Sequence, residues 1–383
     1  MPQLKIPAVY MRGGTSKGVF FREEHLPTDA SARDALLLRL TGSPDPYGKQ
    51  IDGMGGATSS TSKVVLISPS QRPDCDVDYL FGAVSIEAAV IDWSGNCGNL
   101  TAAVGPFAVD QGLVAAQTDG TVPVRIWQVN TKKKIVAHVP VKGGQVVEEG
   151  DFRLDGVAFP GAEIKLEFLD PAGSDDGGAM FPTGRPTDEL EVPGEGRVIA
   201  TLINAGNPTV IITAQSIGLR GDELQPAVNS NPELLRRCEA IRAQAAVTMG
   251  LAVSAAEATA KRPATPKLVF VSPPRSYTAS DGRLVAAAEI DFIARILSMG
   301  QLHHAMTGTG AIALAVAASI PGTLVQGCLA APPGAGGVRI GHPSGSVTSA
   351  AEASVRDGQW AVSRVVLSRT ARVLMEGWVR VPR

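Results

Sequence analysis

The stretch DWSGNCGNLTAAVGPFAVDQGLV, residues 92–114, decides the fold. Small and amide residues (Gly95, Asn96, Gly98, Asn99) surround Cys97, and an alanine-rich apolar run follows at once. That run reads as a helix beginning directly after Cys97. Being apolar most of the way round, it should be enclosed by other elements rather than lie on a surface. The neighbouring runs are short and β-like: AVYMRGG, GVFF, KVVLIS, VSIEAAVIDW, PVRIWQV, KIVAHVPV and IKLEFL. Gly, Pro, Asp or Asn bounds each of them, which is the usual punctuation between strands. The enclosure is therefore a sheet wrapped around one helix.

The second half repeats the plan. RVIATLINAGNPTVIITA reads as strand, Gly-Asn-Pro turn and strand, and HHAMTGTGAIALAVAASIPGTLV is again a glycine-rich turn feeding an apolar helix. VRIGHPSGSVTSAAEA, WAVSRVVLS and ARVLMEGWVRV close the chain as strands. Such a duplication, in a chain of 383 residues, predicts two similar domains, 1–190 and 191–383, divided near DELEVPGEGR. One insertion departs from the symmetry. In NPELLRRCEAIRAQAAVTMGLAV, Asn231 reads as an N-cap before Pro232 and Glu233, and Leu234, Leu235, Cys238, Ile241 and Ala245 recur at helical spacing. Cys238 is thereby a packing residue.

Composition excludes several classes. The chain is 44% hydrophobic and 19% charged with a net charge of −2, a globular balance with no general attraction to nucleic acid or anionic membrane. The opening MPQLKIPAVYMRGG has no basic segment leading into an apolar core, and GAIALAVAASI is too short to span a bilayer. A cytoplasmic protein is the expectation. Four cysteines (Cys75, Cys97, Cys238, Cys328) lie far apart with no C-x-x-C, which argues against a disulfide frame and a structural metal. No phosphate-binding glycine motif is present, so no nucleotide is expected.

Several motifs admit two readings. MRGGTSKGVFF is a glycine-dependent turn, or an anion pocket made of backbone N–H groups, Thr15, Ser16 and the cations Arg12 and Lys17. In DGMGGATSSTSKVVLIS, Lys63 is either solvated or a half-buried base whose neutral amine is favoured by desolvation, with Ser60, Thr61 and Ser62 placed to hold a carboxylate. Cys97 is a small buried hydrophobe, or a thiol at a helix N-terminus where backbone N–H groups favour negative charge on sulfur or on a bound carboxylate. Its polar neighbours Asn96, Gly98 and Asn99 favour the second reading. INAGNPTV with Asn207 and MTGTGA with Thr307, Gly308 and Thr309 form the matching turns of the second half. His303 and His304 precede the latter turn, while Arg275 of SPPRSY and His342 and Ser344 of GHPSG lie on loops.

Taken together, MRGGTSKGVFF, DGMGGATSSTSK, DWSGNCGN, INAGNPT, LHHAMTGTGA and GHPSG closely resemble the 2-methylaconitate cis-trans isomerase and 4-oxalomesaconate tautomerase family. The similarity runs from about residue 5 to the C-terminus. It implies an α+β fold like that of diaminopimelate epimerase: two related domains, each an antiparallel sheet rolled around a central helix, with the active site in the cleft between them. The epimerases pair two cysteines as acid and base. Here Cys97 matches the first, and Thr307 stands where the second would be. A threonine hydroxyl is far too weak an acid for that role. The resemblance instead assigns the base to Lys63, with Cys97 opposite. It implies a cofactor-independent isomerase of small unsaturated di- or tricarboxylates acting by proton abstraction. The substrate would be held by Thr15, Ser16, Lys17, Ser60, Ser62, Asn96, Gly98, Asn99, Asn207, Arg275, His304, Thr307, Gly308, Thr309 and Ser344. No metal, nucleic acid or membrane partner is implied, and a homodimer is among the assemblies it admits. The rival readings are an amino-acid epimerase of the same fold and a non-catalytic carboxylate binder. Selectivity is expected in the loops SDDGGAMFPTGR and SPPRSYTASDGR.

Overall fold

Alternating side chains set the first hairpin. Leu4–Gly13 (β1) and Ser16–Arg22 (β2) pair antiparallel with Gly13 opposite Ser16, and Gly14 closes the turn at φ +51°. Val19 and Phe21 of β2 face an outer apolar layer covered by Leu37 and Leu40 of helix Ala30–Thr41 (α1). Asp29 caps that helix, accepting from Ala32 N–H at 2.8 Å. Ser16, Gly18 and Phe20 face the opposite way. Lys63–Pro69 (β3) runs parallel to β2, and Val77–Val84 (β4) runs antiparallel to β3 with Lys63 opposite Ala83.

The computed structural model describes residues 3–173, 178–334, 336–356 and 359–382. They form two compact units, Met1–Leu166 with Ser368–Arg383, and Glu167–Leu367. In the first unit, helix Thr101–Asp110 (α2) has every residue buried except Asp110. It is walled by strands Asp119–Gln128 (β5) and Lys133–Lys142 (β6). Gly105 is needed at this contact, since a Cβ there would stand 2.6 Å from Val139 Cγ2. The strand Ala371–Val381 pairs with β1 and so belongs to this unit.

The second unit follows the same order. Gly196–Ala205 (β7) and Asn207–Thr213 (β8) form a hairpin closed by Gly206 at φ +70°. Helix Pro232–Thr248 (α3) follows, with Asn231 accepting from Leu234 N–H at 3.0 Å and Leu234, Cys238, Ile241 and Ala245 buried, as their spacing predicts. Lys267–Ser272 (β9) runs parallel to β8, and Phe292–Ser298 (β10) runs antiparallel to β9. Helix Gly308–Ala318 (α4) is buried along its whole length. Val338–His342 (β11) returns parallel to β10, and Gly345–Arg356 (β12) pairs antiparallel with β11.

Some expectations change. The sheets are mixed rather than antiparallel, because β2/β3, β4/β5, β8/β9 and β10/β11 are parallel pairs. Each is joined by a connection carrying a helix, which is what a parallel pair requires. Of VSIEAAVIDW, only Ile91–Asp92 is a separate strand. The preceding VDYLFGAV supplies β4, and residues 85–90 turn back with Ser85 N–H on Val90 O at 2.9 Å. Helix α2 begins at Thr101 after a turn starting at Cys97, not directly after the cysteine. DELEVPGEGR forms a hairpin, Asp188–Val192 against β7, inside the second unit. Among the described residues no helix is long and apolar enough to cross a membrane.

Candidate active site

Strand β4 brings the two candidate catalytic residues of the first unit to one face. Tyr79 and Phe81 are two residues apart and point the same way. The Lys63 ammonium lies 4.9 Å from the centre of the Phe81 ring, and the Tyr79 hydroxyl donates to the Cys97 carbonyl at 3.4 Å. Gly18 completes the approach. A Cβ placed on it would stand 3.1 Å from Lys63 Cβ and 3.1 Å from Leu100 Cδ1, so the start of β3 lies one side chain away from the turn that enters α2. Lys63 is 7% exposed, and among the described residues it makes no ion pair. A buried ammonium without a carboxylate partner is costly, and an anionic ligand relieves that cost.

The Cys97 turn is built from side chains that come from three separate parts of the chain. Leu100 N–H points at Cys97 Sγ from 3.5 Å, and the Thr101 hydroxyl donates to the Cys97 carbonyl at 3.0 Å. These are N–H and O–H donors at the positive end of a helix, where negative charge is favoured. Asn99 donates through Nδ2 to Thr15 Oγ1 at 2.8 Å and accepts at Oδ1 from Arg369 Nε at 2.9 Å. Burial, with the Cys97 charge as a second influence, raises the Tyr79 phenol well above its usual range, so it remains a donor.

Other predicted residues divide between this cluster and structural work nearby. Thr15, Ser16, Asn96, Gly98 and Asn99 are buried around the turn. The Lys17 side chain leaves on the opposite face of β2 from Ser16, 5.4 Å from the Tyr10 ring. Arg12 is tied to Gly14 O and to Thr370 O and Oγ1. The Ser62 hydroxyl donates to Gln50 Oε1 at 2.6 Å, and the Ser60 hydroxyl is paired with that of Thr58 at 2.9 Å.

The second unit holds a corresponding turn. The Thr307 hydroxyl is the N-cap of α4, accepting from Gly310 N–H at 3.1 Å. Threonine at this position thus does a capping task that a thiol performs poorly. Gly308 opens the helix, and Asn207 Nδ2 donates to Thr309 Oγ1 at 3.2 Å, linking the two Gly-rich turns. The His304 ring is stacked on His303 at 4.7 Å, and burial lowers its basicity below the usual histidine range. Ser344 Oγ donates to the His304 carbonyl. Arg275 is half-buried on its loop. Of the loop SDDGGAMFPTGR, residues 174–177 lie outside the described residues.

Two members of these clusters escaped the sequence reading. Arg369 reaches Asn99 from far down the chain, and nothing local marks it. Lys267 heads β9 as Lys63 heads β3. It is 8% exposed and donates to Ser298 Oγ at 3.0 Å. Here a signal was available, since KVVLIS and KLVFVS repeat one pattern. Among the described residues no group of three His, Cys, Asp or Glu could hold a metal ion.

A family model described as "PrpF protein" matches residues 3–382. The chain belongs to the PrpF family. It is 59% identical to the 2-methyl-aconitate isomerase of Cupriavidus necator, the alignment covering 100% of this chain and 98% of that protein. It is 40% identical to the 3-methylitaconate isomerase of Eubacterium barkeri over 99% of this chain and 98% of that one. Among solved structures it is similar to a methylitaconate-delta-isomerase, with a TM-score of 0.76, 39% identity, and coverage of 100% and 96%. A probable proline racemase from Agrobacterium radiobacter K84 matches at a TM-score of 0.56 and 12% identity, over 97% and 92% of the two chains. That last likeness shows the fold alone.

Proposed function

We propose that this PrpF-family protein is an isomerase of small unsaturated polycarboxylates, with 2-methylaconitate as the first substrate to test. The isomerase assignment follows from full-length similarity to named isomerases. The observation that carries the mechanism lies along one face of β4, where Lys63, with no ion pair among the described residues, sits over the Phe81 ring and Tyr79 two residues away bonds the Cys97 carbonyl at a helix entry. Lys63 acts as the base: its nitrogen lone pair takes a proton from the carbon next to the double bond, breaking C–H and forming N–H. The electron pair delocalises into a dienolate. Backbone N–H groups at the entry to α2 favour its negative charge. Return of a proton from Lys63 or Cys97 to the same or the distal carbon gives a rotated or shifted double bond.

Thr15, Asn96 and Asn99 support this reading in the first unit, and Asn207, Thr307 and Thr309 in the second, as carboxylate-binding turns. The two units would correspond to the two domains of the diaminopimelate epimerase fold. A two-thiol racemase reading is disfavoured by the Thr307 cap. The test is turnover of 2-methylaconitate, 3-methylitaconate, aconitate and 4-oxalomesaconate, followed separately by proton NMR. Conversion of at least one acid to an isomer with a moved or rotated double bond is expected. Binding of these acids without conversion of any would replace the isomerase with a carboxylate-binding protein.

A further inference from the structure

Arg369 is among the largest fully buried side chains of the protein, at 1% exposure. Its Nε donates to Asn99 Oδ1 at 2.9 Å and its Nη1 to the Ser368 carbonyl at 2.9 Å. Among the described residues it forms no ion pair with an Asp or Glu. Gly14 makes room for it, since a Cβ there would stand 3.0 Å from Arg369 Cδ and 2.6 Å from Asn99 Oδ1. Asn99 is fixed at its other end by Thr15. The guanidinium is thus fastened to the residue two places after Cys97, on the turn whose Leu100 N–H meets the sulfur.

A buried cation with only neutral acceptors needs a reason, because its desolvation goes uncompensated. We propose that Arg369 is a positioning residue for Cys97: clamped through Asn99, its fixed positive charge stabilises negative charge on the Cys97 sulfur. The role rests on reading Cys97 as one half of the acid/base pair. Burial lowers the Arg369 guanidinium to about 10, and negative charge on Cys97 acts in the opposite direction, so the cation persists at neutral pH. The Tyr79 and Thr101 hydroxyls, both donors on the Cys97 carbonyl, also meet the turn. Neither supplies a permanent charge. Arginine suits the place better than lysine because its fork bonds Asn99 and a backbone carbonyl at once while staying ionised.

The test is alkylation of the intact protein by iodoacetamide at neutral pH, with each cysteine followed by peptide mass spectrometry. Cys238 and Cys328, whose thiols burial pushes up to about 12 and about 11, serve as slow internal controls. Arg369→Gln is expected to slow alkylation of Cys97 by about tenfold or more, the change that one unit of thiol acidity produces. Arg369→Lys, which keeps the charge without the fork, should restore part of the rate. A purely structural role predicts the opposite sign, because loosened packing exposes the sulfur and speeds its alkylation. A folded Arg369→Gln protein alkylated at the wild-type rate, or Arg369→Lys as slow as Arg369→Gln, would overturn the inference. If Arg369→Gln does not fold, Asn99→Ala releases the clamp and should also slow Cys97. An unchanged rate there overturns the inference equally. Alkylation needs no substrate. A slowed thiol in a protein that isomerises nothing keeps this inference and removes the isomerase reading, and the reverse result does the reverse.

Discussion

Replacing Gly14 by alanine measures how tightly the hairpin turn grips the Cys97 loop. The turn sits at φ +51°, which costs an alanine about 1 kcal/mol. Its Cβ would stand 2.6 Å from Asn99 Oδ1, closer than real contacts allow, so Asn99 must turn away. That movement gives up its bonds to Thr15 and Arg369, about 1 kcal/mol for the neutral bond and about 2 kcal/mol for the charged one. The expected loss is about 4 kcal/mol. Gly48 is the control, at φ +64° with nothing within 4 Å of a built Cβ, in the same unit. Gly48→Ala should lose only the backbone share, about 1 kcal/mol. Urea unfolding of both full-length variants against wild type separates the two contributions. If Gly14→Ala proved no less stable than Gly48→Ala, the Asn99 clamp would not be a rigid support and the packing argument for this turn would fail.

Removing the Thr307 cap as Thr307→Ala should lower stability by about 1 kcal/mol while Thr307→Ser holds it, checked by the same unfolding curves. Lys63→Met should leave stability unchanged or slightly raised, because a buried ammonium is exchanged for an apolar chain of similar length. A large loss of stability would show that Lys63 is mainly structural. His304 resists protonation in the folded protein relative to its ordinary value of 6.5, so the unfolded chain binds more protons as pH falls. This group therefore leaves stability unchanged above its ordinary value of 6.5, and stability falls as pH drops below that value towards the lowered folded one; His304→Gln should flatten that slope in unfolding measured across the range.

The sequence discloses the parts of this structure that depend on local pattern. Both central helices were readable because apolarity on all sides leaves burial as the only stable choice, and α2 and α4 are enclosed accordingly. The α3 cap was readable because Asn231-Pro232 is a short-range signal. Sheet direction was not, since alternation looks the same in parallel and antiparallel pairs of a half-covered sheet. Helix α1 escaped because its apolar residues cluster at Leu36–Leu38 and Leu40 instead of recurring in a clear stripe. Lys63 and Cys97 carried recognisable neighbours. Phe81 and Tyr79, which meet them on one face of β4, carry no such mark, because VSIEAAVIDW reads as the strand in place of VDYLFGAV. Arg369 could not be found from spacing at all, because its partner Asn99 lies 270 positions earlier and only the folded chain joins them.

We propose above all that Lys63 moves a proton on an unsaturated polycarboxylate. Its most direct test is proton NMR in D2O of 2-methylaconitate with wild-type protein and with Lys63→Met. Solvent deuterium should enter the acid as its double bond isomerises with the wild type, with a fall of about a thousandfold in the variant, the range expected for loss of a general base. Deuterium entry at the wild-type rate in the Lys63→Met protein would contradict it.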